Sequence, residues 1–227
     1  MTTRNPLIVA ADVSDLEAAE ALARRLRGLV AFVKVGLELF TAHGPAAVDA
    51  VRRHAPVFLD LKLHDIPTTV GRAARNAARL GPSLLTVHSL GGIPMMRAAV
   101  EGSGEGAEAA GVEPPAVLAV TVLSSLGGES LASPASLAFE AVSAGCGGVV
   151  VSGGDVRAVR EVLGAQPTVV VPGIRPAGSP NGDQVRVLTP VEALEAGADF
   201  LVLGRPITEA PDPSAACRAI LAEVGAA

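Results

Sequence analysis

Residues 57 to 69, Val-Phe-Leu-Asp-Leu-Lys-Leu-His-Asp-Ile-Pro-Thr-Thr, put three ionisable side chains, Asp60, Lys62 and His64, into what otherwise reads as a buried apolar strand. Side chains at i and i+2 share one face of a strand, so these three point one way and Leu59, Leu61 and Leu63 the other. For an Asp-x-Lys alone, the simpler reading is a structural ion pair that seals a strand end. Asp65 and Lys34, the latter in a second strand-like run from Ala31 to Gly36, raise the count to two cations and two anions near strand ends. Buried charge persists only when it is paired or put to use, so the group is a candidate active centre.

The elements that must hold these residues alternate along the chain. Short apolar runs predict strands at Leu7 to Asp12, Ala31 to Gly36, Val57 to Leu63, Leu84 to His88, Ala116 to Leu123, Gly148 to Ser152, Thr168 to Val171 and Phe200 to Gly204. Between them lie Ala-rich stretches with helical spacing. One is capped by Ser14 or Asp15 and runs to about Arg27, another spans about Pro45 to His54, and a third starts at Pro67 and ends near Gly81-Pro82. Further helices begin near Pro94, Ser133, Asp155 and Thr189-Pro190, and a last one follows Pro213. The Gly-, Ala- and Glu-rich stretch Glu101 to Pro115 is expected to be a helix end and loop. No compositional change follows it, so residues 1–227 read as one domain.

Eight β/α units in this length predict a closed (β/α)8 barrel of the TIM type. A doubly wound open sheet is the alternative, but it would usually carry a glycine-rich turn after the first strand, where this chain has Asp12-Val-Ser-Asp. In such a barrel chemistry sits at the C-terminal strand ends. There the strands deliver Asp12, Lys34, Asp60, Lys62, Asp65, His88, Ser124, Arg175 and Gly204-Arg205. Loops after the seventh and eighth strands commonly hold phosphate, which suits Arg205 behind a glycine. The segment from Pro172 to Gln184 is long and rich in Gly and Pro, and is expected to be a lid that closes on a ligand.

Composition narrows the partners. Among 227 residues, 49% are hydrophobic, 2% are aromatic and the net charge is −5, without Trp or Tyr. A nucleic-acid binder would want a basic surface and stacking rings, so the expected ligand is a small molecule. Two cysteines give no disulfide framework and suit a reducing cytosol. The N-terminal residues lack an apolar signal core, and no apolar stretch is long enough to span a bilayer, so the expectation is a soluble cytoplasmic protein without membrane contact.

One resemblance rests on these motifs. Asp60-Leu-Lys-Leu-His-Asp65-Ile-Pro-Thr-Thr69 resembles the signature of the orotidine 5′-monophosphate decarboxylase family. The runs Leu-Ile-Val-Ala-Ala-Asp12, Val-Lys34-Val-Gly, Thr121-Val-Leu-Ser124, Val-Pro-Gly-Ile-Arg175-Pro and Leu-Gly-Arg205-Pro-Ile-Thr match in the same order. Sugar-phosphate decarboxylases and hexulose-phosphate synthases share the shorter Asp-x-Lys-x-x-Asp. The Ile-Pro-x-Thr continuation and the Arg175 to Gln184 loop set the first family apart. Thr68 stands where that family usually has Asn.

The resemblance implies a nucleotide substrate, decarboxylation to uridine 5′-monophosphate, and no cofactor or metal. It also implies a homodimer with shared active sites. Lys34, Asp60, Lys62 and Asp65 would form an alternating charge network, with Asp65 and Thr69 reaching the other subunit's site. Asp12 and Lys34 would hold the ribose hydroxyls, Ser124 and Gln184 would contact the pyrimidine and the lid, and Arg175, Gly204 and Arg205 would serve the phosphate. Lys62 would be both a preorganised cation and a general acid.

Three other readings stay open. Lys62 could form a Schiff base, although a carboxylate on the same face favours its ammonium form. Asp60, His64, Asp65 and His88 could ligate a divalent metal, although the Lys62 ammonium would repel it. The chain could also bind a phosphate ligand without turnover.

Overall fold

In a computed structural model, residues 5–122, 133–176 and 188–226 are described. Eight parallel strands close into a barrel in sequence order: β1 (Leu7–Ala10), β2 (Phe32–Val35), β3 (Val57–Leu63), β4 (Leu84–His88), β5 (Ala116–Val120), β6 (Gly148–Val150), β7 (Thr168–Pro172) and β8 (Phe200–Leu203). β1 pairs with both β2 and β8, which closes the ring and rules out the open sheet. No helix among the described residues is long and apolar enough to cross a membrane.

The strands' two faces bury different layers. Ile8, Phe58, Leu84, Leu118, Val170 and Phe200 fill the barrel interior. The alternate residues, such as Leu7, Val33, Leu59, Leu85, Val149 and Leu201, pack outward against the helices. This two-sided burial is why the strands read as continuous apolar runs.

The helices are α1 (Leu16–Arg25), α2 (Leu37–His43), α3 (Pro45–Arg52), α4 (Pro67–Ala78), α5 (Gly92–Ala110), α6 (Pro134–Ser143), α7 (Val156–Leu163), α8 (Pro190–Glu195), α9 (Arg205–Thr208) and α10 (Pro213–Glu223). Local chemistry sets several starts. Asp15, rather than Ser14, caps α1 by accepting from Glu17 and Ala18 N–H, and Ser133 caps α6. Thr189 and Glu192 form a reciprocal capping box on α8.

One part of the expected helix pattern needs correction. A separate helix, α2, follows β2 before the helix at Pro45. As expected, the helix that begins near Pro94 passes into the Gly-, Ala- and Glu-rich stretch: α5 ends within it, at Ala110, and a loop leads on to β5. Tertiary contact explains why this helix carries its glycines. Gly102 and Gly106 lie against the backbone of α4, where a Cβ at Gly106 would come within 2.1 Å of the Arg75 carbonyl oxygen and one at Gly102 within 2.2 Å of that of Gly71. The glycines that weaken α5 as an isolated helix therefore permit its close approach to α4.

Gly106→Ala is expected to cost about 3 kcal/mol through overpacking, a fall in Tm of roughly 10 °C. Gly104, two residues away and therefore on another face of the helix, has open space around it, so Gly104→Ala should instead raise the Tm slightly. Thermal melts of both variants check the pair, and equal shifts would contradict the packing account.

At the barrel's N-terminal end, Arg160 of α7 ties neighbouring units together. Its guanidinium donates to the carbonyls of Gly164 (2.9 Å), Pro167 (2.9 Å) and Gly197 (2.7 Å) and to the Asp199 carboxylate (2.7 Å). Asp199 also accepts from Val169 N–H at 2.7 Å, which fixes the start of β7. Such contacts at the end opposite the chemistry stabilise the scaffold.

Candidate active site

A cavity of about 570 Å³ opens at the C-terminal ends of the strands. Phe58, Val120, Val150 and Val202 form its apolar floor, and Asp12, Lys34, Asp60, Lys62, Arg175, Gly204 and Arg205 line it above. Seven of the residues expected to bind or react thus meet in one cleft.

Asp60 is its electrostatic centre. Its side chain is 12% exposed, and Oδ2 lies 2.7 Å from Lys62 Nζ and 3.7 Å from Lys34 Nζ. Lys34 Nζ also donates to Asp12 Oδ1 at 3.0 Å. The order Asp12, Lys34, Asp60, Lys62 is therefore a chain of alternating sign, in which each buried charge has a partner. Gly36 leaves it room: a Cβ there would sit 2.9 Å from Lys34 Nζ and 3.3 Å from Asp12 Oδ1. Lys34 and Lys62 are also the chain's only two lysines. All other cationic side chains except histidine are arginines, so both of the strongly hydrated lysine ammonium groups belong to this cluster.

The backbone at Lys62 departs from a regular strand. Its φ is +50°, the only positive value at a non-glycine among the described residues. Leu59 pairs with Leu85 but Leu63 with Val87, so four steps along β3 match two along β4. A left-handed residue costs about 1 to 2 kcal/mol, and such strain collects at functional sites. The slip corrects the simple alternation. Asp60 and Lys62 still meet, but His64 is exposed and stacks on His88 with ring centroids 5.3 Å apart, and neither ring lines the cavity. Burial, then the proximity of His64 and Lys62, lowers the His88 pKa. Its Nδ1 accepts from Leu90 N–H at 3.3 Å.

Asp65 and Thr69 are exposed and do not line this cavity. They flank Ile66, a large apolar side chain 65% exposed. Ser124, Gln184 and most of the expected lid lie outside the described residues. At the lid's base, Arg175 is buried and its N–H donates to Leu188 O at 3.0 Å. Arg205 opens α9 directly after Gly204.

Three residues of the site were not anticipated. Thr208 and Glu209 line the cavity because α9 turns them back over it; the Arg205-Pro206 pair, with Pro at a helix start, was the available signal. Thr86 of β4 is fully buried and donates to Asp60 Oδ1 at 2.8 Å. Among the described residues no three of His, Cys, Asp and Glu converge as a metal site would require, so Asp60, His64, Asp65 and His88 do not form one donor set.

The family model described as "Orotidine 5'-phosphate decarboxylase / HUMPS family" matches residues 5–220. The chain belongs to this family. It is 53% identical to the orotidine 5'-phosphate decarboxylase of Anaeromyxobacter dehalogenans, with 95% of this chain and 96% of that protein covered. It is 50% identical to the enzyme of that name from Moorella thermoacetica, over 99% and 94% of the two chains. The crystal structure of orotidine 5'-phosphate decarboxylase from Lactobacillus acidophilus superposes with a TM-score of 0.83 at 37% identity, covering 97% of this chain and 99% of that one.

Proposed function

We propose that the chain is an orotidine 5′-monophosphate decarboxylase, which converts that nucleotide to uridine 5′-monophosphate, the last step of de novo UMP synthesis, with no cofactor or metal. The observation that carries this reading is the Asp60 carboxylate held between two ammonium groups above an apolar floor. The relatives' shared name supports the choice of substrate.

In the proposed reaction the bond from C6 to the carboxylate breaks and its electron pair stays on C6. That carbanion has no neighbouring carbonyl to accept the charge as an enolate. Lys62 supplies a fixed cation as the charge develops and then gives its proton to C6 while CO2 departs. Asp60 faces the substrate carboxylate from nearby, so like charge raises the ground state and is relieved as CO2 leaves. Lys34 supports the Asp60 carboxylate that pairs with Lys62 and, with Asp12, takes the ribose hydroxyls.

Gly204, Arg205 and Arg175 receive the phosphate, and Ser124 and Gln184 the pyrimidine and the closing lid. Asp65 and Thr69 act in the cavity of a second subunit. Their exposure beside Ile66, away from their own cavity, supports a homodimer with shared sites. Two free, buried cysteines agree with a cytoplasmic location.

Loss of orotidine 5′-monophosphate absorbance on adding metal-stripped protein tests substrate, reaction and cofactor independence together. An unchanged spectrum, or a requirement for an added ion, would refute the proposal. Phosphate binding is remote from C6, so its energy is useful to catalysis if it drives closure. Arg205→Ala is therefore expected to lower kcat at least about tenfold in addition to raising KM. Steady-state kinetics check this, and a change confined to KM would count against the coupling.

A further inference from the structure

We infer that Thr86 is a positioning residue for the reacting charges, one hydroxyl that sets both the Asp60 carboxylate and the Lys62 backbone. This rests on the decarboxylase reading above. Thr86 lies mid-strand on β4, with no exposed surface, on the face that Leu84 presents to the barrel interior. Its Oγ1 accepts from Lys62 N–H at 2.9 Å and donates to Asp60 Oδ1 at 2.8 Å.

The two bonds determine each other. A hydroxyl has one proton, and Lys62 N–H occupies an acceptor position on the oxygen, so the proton is committed to Asp60. That bond takes Oδ1, leaving Oδ2 to face Lys62 Nζ at 2.7 Å and Lys34 Nζ at 3.7 Å. The carboxylate is thereby fixed in rotation, with one oxygen for the scaffold and one for the lysines. The N–H bond meets the chain where β3 slips against β4 and Lys62 takes its positive φ. A strained residue persists when its surroundings hold it, and here the holding group also orients the carboxylate that pairs with the same residue's side chain.

A purely structural threonine would affect stability alone, so the test needs readouts that stability does not move. Thr86→Val keeps the side-chain shape and removes both bonds. It is expected to lower kcat for orotidine 5′-monophosphate about 10- to 100-fold with KM changed less than about threefold. Thr86→Ser, which keeps the hydroxyl, should stay within about fivefold of the unmodified chain.

A substrate-independent arm uses the chain's two lysines. After lysine-selective 13C and 15N labelling, the spectrum carries one Cε–Nζ signal set for Lys34 and one for Lys62. Thr86→Val should displace the Lys62 signals, whereas Thr86→Ser should leave them in place. Unmoved Lys62 signals in Thr86→Val, or a serine variant as impaired as the valine one, would overturn the inference.

If the unmodified chain leaves the nucleotide untouched, the decarboxylase reading fails, while the NMR arm still decides the role of Thr86. Should Thr86→Val not fold, a high-resolution crystal structure of the unmodified chain decides instead. It must show Thr86 Oγ1 in hydrogen-bond contact with both Asp60 Oδ1 and Lys62 N, and loss of either contact overturns the inference.

Discussion

Lys62→Ala is expected to reduce kcat/KM for orotidine 5′-monophosphate at least about 10^4-fold, because one substitution removes both the cation facing the developing carbanion and its proton donor. The fold should survive. Asp60 keeps the Thr86 hydroxyl and the Lys34 ammonium as partners, so no buried carboxylate is left alone. The substitution also removes no apolar core contact, since Lys62 lies on the cavity wall. Absorbance kinetics with a matched thermal melt separate the two effects. A loss under about tenfold with an unchanged melt would remove Lys62 from the chemistry, and a collapsed melt would recast the ion pair as a structural one.

Mixing Lys62→Ala with Asp65→Ala is expected to restore activity from two inactive proteins. In a two-fold symmetric dimer with shared sites, a hybrid contains one site lacking both groups and one site lacking neither. Random exchange from equal amounts makes half of the dimers hybrids, so recovery should approach about a quarter of the unmodified activity. The measurement is activity against mixing time after mild dissociation, with subunit exchange followed independently by mass. Exchange without recovery would mean that Asp65 serves its own barrel or none. The first outcome would explain why a carboxylate of the same sequence motif as Lys62 is exposed and absent from the cavity that Lys62 lines.

The histidines show how far residue spacing carries. Period-two alternation placed Asp60, Lys62 and His64 together, and it was right for the pair that touches. It failed at His64 because β3 and β4 do not stay in step: the ladder slips between Leu59 and Leu63, and Lys62 absorbs the turn of the chain with a positive φ. Nothing in the identities of residues 59 to 63 announces such a slip, since lysine has no preference for that conformation. The scarcity of lysine, by contrast, was plain in the sequence and would have singled out Lys34 and Lys62 without any motif.

By itself, the sequence determined the alternation of strands and helices, the barrel they imply and the set of charges delivered to one end. Each of these follows from local patterns: apolar runs, helix caps, prolines at helix starts, and polar groups after buried strands. Only the tertiary structure decided that α5 persists through its glycines, that α9 brings Thr208 and Glu209 over the cavity, and that Thr86 faces Asp60. Those facts depend on which elements become neighbours when the ring closes and how closely they approach. A threonine in an apolar strand carries no mark of the carboxylate it will meet 26 residues away in the chain, because that meeting is made by strand pairing and register rather than by local preference.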